Sequence, residues 1–260
     1  MPALFIGHGN PMNALEDNRY TQVWRELGTT LRHTNPPRAI LAISAHWYIN
    51  ATAVTAMTKP ATIHDFGGFP QPLFEYQYPA PGDPALAARV QSLLSPLQAI
   101  ADTESWGLDH GTWSVLAQMF PAANVPVVQL SIDATQSGDF HYQLGKKLAT
   151  LRDEGVLILG SGNIVHNLRM ATWGVDAGHF PWAERIEQRI KMLVEQGDHP
   201  SLIDYLAIDP DMRLAAPTPE HYLPLLYVLG AQRPQDKIHI TLQGIEFASA
   251  SMLTVCLGMP

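Results

Sequence analysis

The strongest constraint on this chain is a set of short, uninterrupted apolar runs that each lead to a histidine. Ala39 to Trp47 (AILAISAHW) is one, Ala3 to Gly9 (ALFIGHG) is another, and Val156 to His166 (VLILGSGNIVH) reaches its histidine after a short loop. A strand that is apolar on both faces must be covered on both faces, the pattern of a parallel sheet between layers of helices. His46, His8 and His166 are then expected at the mouths of buried strands, where packing alone gives no reason for a polar ring.

The intervening segments fill in the layers. Val23, Trp24, Leu27 and Leu31 have helical spacing, so Tyr20 to Leu31 is expected to be a helix and the first three elements a βαβ unit. Asp83 and Pro84 supply an N-cap and a first-turn proline for a helix over Pro84 to Leu94. A helix over Thr112 to Phe120 begins just after His110, and Val125 to Ile132 reads as a strand. Asp139 is expected to cap a helix reaching about Asp153, and a helix over Trp182 to Glu195 should stop at Gly197. Thr218 reads as an N-cap with Pro219, Glu220 and His221 in the first helical turn, and Lys237 to Leu242 and Ser251 to Leu257 as closing strands. Thr52 to Met57 is a weaker strand candidate. No linker or repeat divides residues 1–260. The expectation is therefore a single catalytic α/β domain, a central mostly parallel sheet flanked by helices, with the site at the carboxyl ends of the strands. Thr58 to Gly82 has no period, but Phe66, Phe69, Phe74, Tyr76 and Tyr78 argue for a packed lid or pocket wall rather than disorder.

Charge and cysteine content exclude several classes. The formal charge is −8 with no block of Lys or Arg, which repels phosphate backbones and anionic membrane surfaces, so neither nucleic acid nor membrane is an expected partner. No apolar run approaches the roughly 18 residues of a spanning helix. Cys256 is the only cysteine, which rules out an intrachain disulfide and a thiolate zinc site. With no secretory pattern at the start, a cytoplasmic setting is expected. Gly160-Ser161-Gly162 lacks the third glycine of a dinucleotide fingerprint, Val165 standing there, and neither a P-loop nor a nucleophile elbow is present.

The histidines remain. There are eleven, and imidazole is both a common metal ligand and the side chain whose free pKa lies nearest neutrality. Any one loop histidine is as readily exposed as functional, but His8, His46 and His166 at strand ends with His110 and His221 at helix starts favour one shared crevice. His33, His141, His179, His199 and His239 read as surface residues, and His64 opens the aromatic lid. Glu220 and His221 stand about 100° apart on a helix, so one of them points inward. A triad of two histidines and a carboxylate takes Glu220; an all-histidine triad takes His221.

Taken together, GHGNPMNAL, SAHW, HDFGGFP, the Pro79-Ala80-Pro81-Gly82 turn, WGLDHGTW, QLSID, GSGNIVHNL and PTPEHYLPLLYVLGA resemble the extradiol dioxygenases of the 4,5-DOPA dioxygenase group, within the superfamily of the protocatechuate 4,5-dioxygenase catalytic subunit. The likeness runs over essentially the whole chain. It implies a cytoplasmic monomer that binds one divalent metal, Fe(II) for activity with Zn(II) as a possible occupant, and that opens a small catecholic substrate with O2 to a muconic semialdehyde type product. It also implies His8, His46 and His221 as metal ligands, His166 as the acid/base residue and His110 as a second pocket histidine, with Phe66, Phe69 and Tyr76 against the ring. In the protocatechuate branch the third ligand is a glutamate, which keeps Glu220 beside His221 in play. A zinc-dependent hydrolase and a noncatalytic metal or aromatic-ligand binder are the competing readings.

Overall fold

The computed structural model describes residues 1–172 and 178–259. Eight strands form one sheet: β1 (Ala3–Gly7), β2 (Ala39–Ile49), β3 (Ala53–Thr55), β4 (Ile100–Asp102), β5 (Val127–Asp133), β6 (Val156–Gly162), β7 (Ile238–Leu242) and β8 (Thr254–Leu257), in the order β4-β3-β5-β2-β6-β1-β8-β7. The central block β5-β2-β6-β1 is parallel. Antiparallel pairing enters where β3 meets β5 and where β8 and β7 extend the far side. The apolar runs are therefore the middle of the sheet, and every residue of β1, β5 and β6 is buried.

Period-two alternation divides these strands between two cores. Phe5, Leu41, Ile43 and Ile158 face one core, packed by helices α2 (Pro84–Leu94), α4 (Gly138–Leu148), α5 (Pro181–Gln196) and α6 (Leu223–Gly230). Leu4, Ile6, Ile40, Ala42 and Leu159 face the other, packed by α1 (Arg19–Thr34) and α3 (His110–Met119). Helix α2 has the expected bounds, with the Asp83 carboxylate accepting from Leu86 N and proline in the first turn. Helix α5 ends at Gly197 in the left-handed conformation, where a side chain would strain the backbone.

Four local expectations are corrected. Strand β2 does not stop at His46 but runs on to Ile49. Its partner β6 pairs only as far as Ser44, and the register with β5 lapses between Ile43 and Tyr48, so His46 lies inside the strand where both neighbours have let go. The cap of α4 is Ser137, and Asp139 lies in the first turn. Gly160 to Gly162 belongs to β6 rather than to a loop. Thr218 caps nothing: α6 starts only at Leu223, while Tyr222 N and Leu223 N both donate to Pro219 O in a turn that holds Glu220 and His221. The helical angle between those two residues consequently does not apply.

Arg152 ties the ends of the chain together. Its buried guanidinium pairs with Asp236 at 2.5 and 2.9 Å and donates to the carbonyls of Met1, Ala231 and Leu257. Despite burial, which acts upward, these hydrogen bonds hold the Asp236 carboxyl below its ordinary value. We expect Arg152→Met to remove about 3–5 kcal/mol of stability in urea unfolding at pH 7, the penalty for stranding a buried partner. Because the folded pKa is depressed, the pair's contribution is complete above about pH 4, the unfolded carboxylate value, and is lost as pH falls through the folded value. The difference between wild type and variant should accordingly shrink in acid.

Candidate metal centre and active-site cavity

Beyond the carboxyl ends of β1, β2 and β6 lies a cavity of about 520 Å³ lined by His8, His46, His110, His166 and His221 together with Asp65, Phe66, Phe69, Leu168, Phe247 and Ala250. All five histidines read from the sequence as site residues meet there. His8 follows β1, its N–H donating to Gly162 O and its carbonyl accepting from Asn13. His110 is the first residue of α3, behind the N-cap Asp109, rather than just ahead of the helix. His166 is held by a backbone bond to Ala215 O and a bridge to Ala250.

The glycines flanking Ser161 bring His221 in from a distant part of the chain. A Cβ on Gly162 would sit 2.2 Å from His221 O, and one on Gly160 would sit 2.6 Å from Pro224 O. Only a bare backbone lets the 221–224 segment lie against β6. Asn163 N closes the approach by donating to His221 O. On the other face Ser161 Oγ donates to Gly111 O and lies 2.9 Å from His8 Nδ1.

The rings are close. Nε2 of His8 and Nε2 of His46 stand 3.2 Å apart. The His46 and His110 rings are 3.9 Å apart between centroids, and His166 stacks on His221 at 3.5 Å. One carboxylate, Asp65, lies 3.1 Å from His46 Nδ1 and 3.0 Å from His110 Nδ1. Glu220 is 3.1 Å from His221 Nδ1. His221 Nε2 is buried with no hydrogen-bond partner among the described residues.

Burial pushes the His8 and His221 pKa values well below normal, with the neighbouring imidazoles adding to the effect, and it brings His166 down to about 4. His110 is lowered by burial and by His46. At His46 burial acts downward but is outweighed by Asp65 together with the charges of Asp109 and Glu220, so its value rises. Imidazoles kept mostly neutral by burial, with ring nitrogens close to one another, are a donor set for a divalent cation. One nitrogen from each of His8, His46 and His221 lies within 4.8 Å of the others, and His46-Asp65-His110 and His166-Glu220-His221 form two overlapping groups of the same kind.

The lid reading holds in part. Phe66 and Phe69 line the cavity, but Tyr76 stacks on Trp113 and packs into the core on the α1 and α3 side. His64 closes the lid on itself through Tyr76 O. His141, expected on the surface, is fully buried against Tyr227 OH, and His199 is half-buried between Tyr142 and Gln232. Asp65 and Ser161 were not read from the sequence as site residues. Their only signals are an acid inside the aromatic lid and a hydroxyl between two glycines.

The family model of the catalytic LigB subunit of aromatic ring-opening dioxygenase matches residues 2–255. The chain belongs to this family. It is 53% identical to the 4,5-DOPA dioxygenase extradiol of Escherichia coli K12, covering 99% of this chain and 95% of that protein. It is 38% identical to the protein of the same name from Beta vulgaris, over 91% and 88% of the two chains. A crystal structure of an uncharacterised E. coli K12 protein has the same fold, with a TM-score of 0.86 at 47% identity over 99% of this chain and all of the other. The chain is thus a metal-dependent extradiol ring-opening dioxygenase acting on a small aromatic substrate with O2, which sets aside the hydrolase and the noncatalytic binder.

Gly111 gives a direct test of ring placement. A Cβ there would lie 2.6 Å from Ser44 Oγ, 2.8 Å from His46 Cδ2 and 3.3 Å from His8 Cε1. We expect Gly111→Ala to fold, at a cost of about 1–3 kcal/mol. Displacing the rings should lower turnover about a hundredfold, the penalty for a misplacement near 1 Å. Thermal unfolding and steady-state oxygen uptake measure the two separately.

Proposed function

We propose that this dioxygenase opens DOPA or a closely related catechol next to its hydroxyls, releasing a muconic semialdehyde type product, and that His8, His46 and His221 hold one Fe(II). The observation that carries the ligand assignment is the state of the other ring nitrogens. Ser161 has a single hydroxyl hydrogen and gives it to Gly111 O. His8 Nδ1 must therefore donate to Ser161, leaving Nε2 as the lone pair. His221 Nδ1 faces Glu220, whose Oε1 also accepts from Thr218 Oγ1. Glu220 then orients the ring, and His221 rather than Glu220 is the third ligand. Hydrogen-bonded partners behind metal-binding imidazoles are the usual arrangement, and two nitrogens 3.2 Å apart can both lie about 2.1 Å from one ion.

When bound, Fe(II) supplies open coordination positions and the one-electron chemistry that permits a catecholate and O2 to react. The chain supplies the proton traffic and the container. His166 is neutral at working pH because burial disfavours its charged form, so it accepts a proton from a catechol hydroxyl and returns it readily as the ring opens. His110, whose ring lies 3.9 Å from that of His46, is the second histidine toward substrate and oxygen. Phe66 and Phe69, packed edge-to-face on one another, give the aromatic ring an apolar wall and, with Leu168, limit water. The likeness to proteins named 4,5-DOPA dioxygenase extradiol supports the choice of substrate. A single catalytic unit, monomeric and cytoplasmic, completes the reading; among the described residues no helix is long and apolar enough to cross a membrane.

Protein reconstituted anaerobically with Fe(II) and given DOPA in air should take up oxygen and form a yellow product; no uptake with DOPA and a panel of catechols would overturn the proposal. His46→Ala should lose the metal. His166→Ala should keep it while turnover falls about 10²- to 10⁴-fold. Full metal occupancy in His46→Ala would reject the ligand assignment.

A further inference from the structure

Asp65 lies in the irregular stretch between the short strand Ala61–Thr62 and the helical turn Gln71–Glu75, far in sequence from every histidine it touches except His64. Oδ1 accepts from the backbone N–H of His110 at 2.9 Å and lies 3.0 Å from His110 Nδ1; Oδ2 lies 3.1 Å from His46 Nδ1. The other nearby acid, Asp109, is already satisfied by Ser44 Oγ, Thr112 N and Gln129 Nε2. Neither imidazole contact of Asp65 has hydrogen-bond geometry, and His110 Nδ1 has no hydrogen-bond partner among the described residues, whereas His221 Nδ1 is hydrogen-bonded to Glu220. Even so, a carboxylate oxygen at this range favours a hydrogen on the facing nitrogen and repels a lone pair. A hydrogen on each Nδ1 leaves both Nε2 atoms as the lone-pair nitrogens.

We propose that Asp65 is a dual positioning residue: one lid carboxylate sets the tautomers of His46 and His110 together, turning the first toward the metal and the second toward the substrate as a hydrogen-bond acceptor. The proposal rests on the metal face described above. In His46 the result is an Nε2 lone pair facing His8. In His110 it is an acceptor at the cavity, able to take a hydrogen bond from a catechol hydroxyl. The same residue hangs the wall of the cavity, since Phe66, Gly67, Gly68 and Phe69 follow it directly and all line the pocket. The carboxylate that faces both rings and the residues that wall the cavity thus belong to one continuous segment.

Asp65→Asn tests this with little change of shape, because an amide can accept from one Nδ1–H but must donate toward the other and so forces one ring into the wrong tautomer. The first measurement needs no turnover: the affinity of the full-length variant for Zn²⁺, by competition with a chromophoric chelator. It should fall about 10- to 100-fold, the usual loss for an orienting partner. The second is kcat at saturating metal, alone and combined with His110→Ala. The kcat defect of Asp65→Asn should largely vanish when His110 is already absent, because residues acting through one another are non-additive. Phe66→Ala serves as the control for simple lid damage and should raise KM without changing Zn²⁺ affinity. Wild-type Zn²⁺ affinity in Asp65→Asn, a kcat defect that multiplies in full with that of His110→Ala, or a phenotype matching Phe66→Ala would each overturn the assignment. If no catechol is ever cleaved, the Zn²⁺ measurement still decides the role at His46 separately from the proposed reaction.

Discussion

An imidazole has two ring nitrogens, and whatever holds one decides what the other can do. The architecture around this cavity follows from that constraint. Five histidines packed together, most with their protonated forms suppressed by burial, are tolerable only if each ring has a defined orientation. Ser161, Asp65 and Glu220 stand behind His8, His46 and His221 respectively. Each comes from a different segment: a central strand, the lid and the turn before α6. A buried, unpartnered nitrogen such as His221 Nε2 is unfavourable in a finished interior, and its persistence in the middle of a donor set marks a place shaped for a cation.

The scaffold supplies rigidity where the constraint needs it. His46 does not hang from a loop but sits within β2 at the point where the neighbouring strands cease to pair, and its side chain lines the cavity. Gly160 and Gly162 let the 221–224 turn press against β6 at distances no side chain would permit. The irregular, aromatic-rich lid segment walls the cavity with Phe66, Gly67, Gly68 and Phe69. Asp65 of the same segment returns to the site.

How much of this was legible beforehand depended on range. Apolar runs such as ALFI and VLIL read correctly as buried strands because burial on both faces leaves a signature within four residues. Asp83-Pro84 read correctly because capping is decided within one turn. Thr218-Pro219-Glu220-His221 carries the same local signature and misled, since Thr218 Oγ1 bonds to Glu220 and the turn is held by its contacts with β6 instead of opening a helix. His141 was misplaced because its polarity is neutralised by Tyr227 OH, eighty-six residues away. Tyr76 stands among the lid aromatics in sequence, yet its ring belongs to Trp113 and a core.

By itself the sequence determined the layers, the parallel central strands, the family and the five histidines of the cavity, because hydrophobic period, turn chemistry and long motifs are properties of contiguous residues. Tertiary structure alone decided that Ser161 stands behind His8, that Glu220 stands behind His221 and that Asp65 lies beside both His46 and His110. Those outcomes depend on where one hydroxyl hydrogen and two carboxylates come to rest. Residues widely separated along the chain meet at hydrogen-bonding distance only after the sheet has formed and its glycines have allowed the turn before α6 to close on β6.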